Sequence, residues 1–476
     1  MYKPISMILS LVLILPLAAC SGAADPIDFA GEIGGEITIS AYDTMLSKSF
    51  LEDAARLFEE TYPGTTVTVK TFSVMPEIRT SGQDGMIMAE MQDHSQGLSD
   101  YLNQVNTALM SGKGADILAM DVLPVQKYVD SGHLANLDTY MDTDPDFNRG
   151  DYQENILDAA RYKGGTWFLP MNYTFDYYAY DTTLLPGESG FGTDRAFTLE
   201  QLMDLAEGSF DGSAMMFNIS DYNKRSGGMW GKLFTESYHS FVDLENKTAN
   251  FDNGSFAALL ESVRQYSEQG YIAKGAASQA GAGEGETGRF YFKSQNVINL
   301  ISLFTRDLGI KMTGMAEGGT MAIGDDDEIA GIAAAADGSV PFTCEQAYGI
   351  SASSQNKETA WAFLKFLLSE EMQINANIRP TALPIANSAR EKKMELMLTS
   401  LMEQQGQSLS EAQLAAIARY NEAVKQLSGQ INTYIFEDTI INDMVVAEVQ
   451  YFFEGTKTAG EAADILQSKV DLYLNE

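Results

Sequence analysis

The chain has 476 residues, 45% of them hydrophobic and 20% charged, and its 66 Asp and Glu outweigh 31 Lys and Arg to give a formal charge of -35. That length holds two large domains or about three ordinary ones, each with a full core, and the composition excludes a collagen-like, coiled-coil or wholly disordered chain. The acid excess sets up a potential that repels phosphate backbones and anionic headgroups, so nucleic acid is excluded as a partner and a neutral or cationic small solute fits better.

The amino terminus carries Lys3, an apolar run over residues 5–17, and then Leu17-Ala18-Ala19-Cys20. The run is too short to cross a bilayer as a helix and ends in small residues, which is the pattern of an export signal. Leu17-Ala18-Ala19-Cys20 resembles the bacterial lipobox, in which the cysteine is diacylated; the alternative is an ordinary signal with an incidental cysteine. On the lipobox reading, residues 1–19 are removed, Cys20 is the lipidation site and residues 20–35 are a flexible tether rich in Gly and Ala. The only other cysteine, Cys344, precludes an internal disulfide after processing and reads as a small hydrophobe.

From Glu36 onward the pattern alternates. Residues 37–42 read as a strand, and Phe50, Leu51, Ala54, Leu57 and Phe58 share a helical face. Tyr62-Pro63-Gly64 stops that helix, and residues 65–69 read as the next strand. A helix around 101–110 leads to a third strand ending at Asp121, so a parallel, doubly wound sheet is expected. Beyond it, Thr198 and Gln201 form a capping box, residues 256–271 an amphipathic helix, 297–301 a buried strand, and 358–372 a helix with Trp361 on its core side. Thr458 and Glu461 cap the last helix.

Chemistry-bearing motifs are scarce. Gly283, Gly285 and Gly288 match a dinucleotide pattern by letter, but no strand precedes them. Asp142, Asp144, Asp146 and Asn148 have calcium-loop spacing, while Phe147 occupies the glycine position and Gln153 that of the bidentate glutamate. The run 325–328 reads as a solvated acidic turn. Three separated histidines offer no zinc site, so neither a metal nor a cofactor is expected.

Taken in order, residues 58–65, 109–121, 132–138, 164–170, 178–185, 197–202 and 347–373 resemble the extracellular solute-binding proteins of ABC importers, in the sugar-binding family that includes maltodextrin-binding proteins. Asp181 stands where that family usually has Asn. The resemblance implies an α/β two-lobe periplasmic-binding-protein-like fold with a hinge and central cleft. It implies one lobe from residues 36–165 and 295–345 and the other from 166–294 and 346–476. It also implies a non-catalytic monomer on the outer face of the membrane, anchored through Cys20, that delivers an oligosaccharide or sugar to ABC permease subunits; lipid anchoring without disulfides suits a Gram-positive surface, with an outer- or inner-membrane lipoprotein as the alternative.

A sugar site needs aromatic faces and planar polar groups. By position, Trp230 and Tyr173 are expected to stack on the sugar, and Asp43, Asp121 and Asn172 to bind its hydroxyls, with Tyr42, Met171 and Tyr348 beside them. A polyamine or peptide binder on the same scaffold and a surface-anchored polysaccharide hydrolase are the alternatives.

Overall fold

The computed structural model describes residues 33–43, 47–72, 77–80, 87–90, 94–187, 190–223, 227–275, 289–308, 323–374, 382–404 and 406–475. Cys20, the signal and the glycine-rich stretch 276–288 lie outside the described residues. The first strand, Gly35–Tyr42, buries Ile37, Ile39 and Ala41, and helix Ser47–Thr61 covers them with Phe50, Leu51, Ala54 and Phe58. Strand Thr65–Phe72 returns parallel to the first, as its sequence predicts.

Two five-stranded sheets organise the chain, one in each of two lobes. The first places Thr65–Phe72, Gly35–Tyr42, Ile117–Ala119, Ala347–Ile350 and Leu169–Pro170 side by side. The second places Met215–Phe217, Phe290–Asn296, Asp176–Asp181, Asp327–Ala333 and Ala196–Phe197 side by side. In strand Asp176–Asp181, Tyr177 and Ala179 join one core while Tyr178 and Tyr180 join another, so both faces are covered and the interior of the strand between its two terminal aspartates is buried.

The sheets correct three expectations. Asp327–Ala333 pairs with the second sheet and Ala347–Ile350 with the first, so the return segments sit opposite to their expected lobes. Ala347–Ile350 also runs antiparallel to Ile117–Ala119, which makes the first sheet mixed rather than wholly parallel. Residues 297–301 are helical: Asn296 accepts from the Ile298 N–H as a cap, and Val297, Leu300 and Ile301 are buried at the one-four-five spacing of a helical face. The strand is the segment just before, Phe290–Asn296.

Local signals elsewhere are met. Thr198 and Gln201 form the capping box of helix Leu199–Ala206, and Thr458 and Glu461 exchange the equivalent bonds at 2.9 and 3.2 Å. Trp361 is in the core and donates its indole N–H to Asp144 at 2.6 Å. Asp144 also pairs with Lys365 at 2.6 Å and accepts from the Asp146 N–H, so the calcium-like spacing serves an internal ion pair. Within the acidic run, Asp327 is buried against Lys293 at 2.5 Å and is not a solvated turn residue.

Three crossings join the lobes, at residues 171–175, 334–346 and 431–438. Thr174 and Thr343 exchange both backbone hydrogen bonds, at 2.9 and 3.1 Å. Pro341 and Phe342 pair in parallel with Thr433 and Tyr434, and the Ile435 N–H reaches the Phe342 carbonyl at 3.1 Å. The crossings are therefore one stitched floor between the lobes.

Candidate functional site

Two cavities open onto that floor. The larger, about 740 Å³, is walled by the second lobe, through Asp176, residues 218–220, 294–296 and helix Met229–Glu236, and by the crossings at 174–175, 341–343, Ile435 and Glu437. The smaller, about 130 Å³, is walled by residues 120–123 and 125–126 of the first lobe and by 343–344 and 434–437. Thr343, Ile435 and Glu437 line both, so the cavities meet at the crossings with one lobe on either side. Both lie beyond the carboxyl ends of sheet strands, where open α/β sheets bind ligands.

Backbone geometry admits the helix that walls the larger cavity. Gly228 has φ +72°, and a Cβ there would lie 2.7 Å from the Ser220 carbonyl oxygen, so only glycine lets the chain turn into Met229–Glu236 at this depth. That helix carries Trp230 and Phe234, whose rings lie 6.3 Å apart, and Lys232. Lys232 is buried and holds Asp176 and Glu236, each at 2.9 Å. Burial pulls the Lys232 pKa down, but the Asp176 and Glu236 carboxylates outweigh it and hold the ammonium well above the usual lysine range. Burial leaves the Glu236 carboxyl raised in spite of Lys232.

Among the described residues Glu437 is in no ion pair. Its carboxylate accepts from the Asn442 amide at 2.8 Å and from Thr235, and burial raises its pKa against both bonds. On the side of the smaller cavity stand Asp121, Gln126 and the rings of Tyr434 and Phe436, which meet edge to face at 4.6 Å.

Of the eight residues expected at the site, Trp230 lines the larger cavity and Asp121 the smaller. The other six line neither. Asn172 is fully buried and clamps the crossings: its side-chain oxygen accepts from the Glu345 and Gln346 N–H groups at 3.0 and 3.1 Å, and its amide donates to Gln346 at 3.0 Å. Tyr173 is fully buried, donates to Ser428 at 3.0 Å and stacks near Phe175, so it is a core residue rather than a sugar platform. Met171 and Tyr348 belong to the same core. Tyr42 packs on Tyr101 at 5.5 Å, and the Asp43 N–H bonds to the Phe72 carbonyl at 2.8 Å. Asp181, in the position of the family's Asn, caps the turn after its strand by accepting from the Thr183 and Leu184 N–H groups.

The sequence reading passed over Asp176, Lys232, Glu236, Gln126 and Glu437. The Gly227-Gly228 pair before Trp230 was the one local signal for this wall, because adjacent glycines mark a close backbone approach.

The sequence profile of the bacterial extracellular solute-binding protein family matches residues 89–395. The chain belongs to that family. Solved structures agree with this solute-binding protein in fold. An extracellular solute-binding protein of family 1 from Alicyclobacillus acidocaldarius is 15% identical, with 94% of this chain and 100% of that one covered at a TM-score of 0.58. The sugar-binding protein of Xanthomonas citri is 14% identical, with 93% and 98% covered at 0.57. An ABC substrate-binding protein from Listeria monocytogenes, solved with cycloalternan, is 15% identical, with 93% and 99% covered at 0.53. No curated protein sequence matches the chain. Among the described residues no helix is long and apolar enough to cross a membrane.

Proposed function

We propose that this solute-binding protein is the lipid-anchored capture component of an ABC importer, and that it takes a sugar or oligosaccharide into the cleft between its lobes, closes on it and presents it to the permease. The observation that carries the reading is the 740 Å³ cavity at the lobe junction, within the range of small-molecule sites, whose lining brings Asn218, Asn296 and Thr343 together over a wall built from the buried Trp230, Phe234 and Phe342. An apolar wall suits the CH face of a pyranose ring, and amides and hydroxyls suit its OH groups. The stitched crossings supply a short hinge, and a solute touching both walls favours the closed state by its extra contacts there. Family membership and the sugar-binding protein among the structural neighbours support the same class of solute. The signal and Cys20 are read as the anchor, which places the protein outside the membrane beside its permease. No turnover is part of this reading.

Isothermal titration of the full-length protein in detergent against mono- and oligosaccharides tests it. Saturable binding of a glycan, with a decrease in radius of gyration by small-angle scattering and no release of reducing ends, is the expected result. Binding by amino acids or peptides and by no glycan would overturn it.

A further inference from the structure

On the reading that the cleft captures a glycan, we propose that the solute also carries a protonated amino group, and that the smaller cavity beside Glu437 is the subsite that receives it. The cavity is lined by two carboxylates, those of Asp121 and Glu437, and by no Lys, Arg or His. Among the described residues Glu437 is in no ion pair, and its two hydrogen bonds come from neutral donors, Asn442 and Thr235. Across the cavity Gln126 is only 7% exposed and its side chain makes no hydrogen bond among the described residues. Its amide is therefore held among buried neighbours, lines the cavity and has its hydrogen-bonding capacity left for a ligand.

These groups select a ligand chemistry. A carboxylate only accepts hydrogen bonds, and an ammonium only donates, with three donors to offer. A neutral hydroxyl can fill one of the acceptors but leaves the Glu437 charge uncompensated as the lobes close and water leaves, whereas an ammonium bonds and neutralises it together. Tyr434 and Phe436 add ring surface on which a cation is favoured over a neutral group. In the adjoining cavity Lys232 is already held between Asp176 and Glu236, so it does not answer Glu437. The size of the smaller cavity suits one substituent of a solute whose body occupies the larger. Anionic sugars are excluded by the same charges.

Titration of the full-length protein in detergent with three β-1,4-linked tetramers at near-neutral pH tests the proposal: the glucosamine tetramer, its N-acetylated form and the glucose tetramer. Expected is binding of the free amine about tenfold or more tighter than either neutral tetramer, as for one charge-assisted hydrogen bond. That preference is expected to disappear in Glu437→Gln and to shrink in Gln126→Met. Equal affinity for all three, or a preference that persists in Glu437→Gln, overturns the amine subsite and leaves the glycan reading standing. Binding of spermidine, lost in Glu437→Gln, with no binding of any glycan upholds the subsite and overturns the glycan reading. Silence toward all four probes overturns the proposal. The unliganded melting temperature separates a lost subsite from a lost fold: relieving an unpaired buried charge, Glu437→Gln is expected to raise it, by about 2 °C for ~1 kcal/mol.

Discussion

The side chain of Asn172, on the first crossing, holds the backbone of Glu345 and Gln346 on the second through its oxygen, and the Gln346 side chain through its amide. The two bonds to Gln346 are buried, the one to Glu345 is partly buried, and all are internal. Asn172→Ala leaves two backbone N–H groups and the Gln346 side-chain oxygen without their partner, two of the three groups in a buried setting. A loss of about 3 kcal/mol in unfolding free energy is expected, measured by urea titration. The remaining folded protein should keep its solute affinity within a few-fold, because Asn172 lines neither cavity. A collapse of affinity with unchanged stability would return Asn172 to the site.

The Asp176, Lys232 and Glu236 triad makes a second prediction. Lys232 lies between two carboxylates at 2.9 Å, and Glu236 is as buried as the lysine. Lys232→Met leaves Glu236 without its cation, a change that costs about 3–5 kcal/mol where a buried pair loses one partner. The double variant Lys232→Met with Glu236→Gln removes the stranded charge and should recover at least half of that loss by thermal or urea unfolding. Equal stability of the single and double variants would mean that Glu236 is not sensed as a buried charge.

Local grammar carried much of the fold. Ile37 and Ile39 point inward between Thr38 and Ser40, and Thr198 with Gln201 or Thr458 with Glu461 announce helix starts within four residues. Pairing between distant strands has no such local signature: 329–333 and 347–350 are both short, uncharged and largely buried, and nothing in either says which sheet it joins. The site was less legible for the same reason. Residue type at a strand end nominated Asn172 and Tyr173 as readily as Asp121, but whether a polar or aromatic group faces a cavity or a crossing depends on what packs against it from elsewhere in the chain. Glu437 follows Ile435 and Phe436 and precedes Asp438, a helix cap, and it lies between lobes because 341–342 pairs with 433–434.

Asp144 sets an acid limit on stability. Burial pushes its carboxyl up, but bonds from Lys365, Trp361 and the Asp146 N–H outweigh that and hold it below the usual aspartate range. A depressed carboxyl contributes stability that is fully present above the unfolded value, near ~4, and is lost as pH falls through the folded value. Asp144→Asn should therefore lower unfolding free energy at neutral pH by about 3 kcal/mol, the size expected when one partner of a buried charged pair is removed. The gap between variant and parent should narrow only as pH drops below ~4. A gap that is constant from neutral pH to strongly acid pH would show that the ion pair does not carry the effect.

Cys344 offers a reporter for the smaller cavity. It sits on the second crossing, lines that cavity with Tyr434, and burial pushes its thiol well above the usual range. The thiolate is the reactive form, so alkylation of the native protein near neutral pH should be ~100-fold or more slower than of the unfolded chain. A solute that places a substituent in the smaller cavity should slow it further, while one confined to the larger cavity should leave the rate unchanged. Applied to the amine and neutral tetramers, this comparison reads cavity occupancy without reference to affinity. Protection by the free amine alone is expected. Equal protection by all three would mean that the smaller cavity does not distinguish charge, and rapid alkylation of the unliganded protein would mean that the crossings open far enough to expose it.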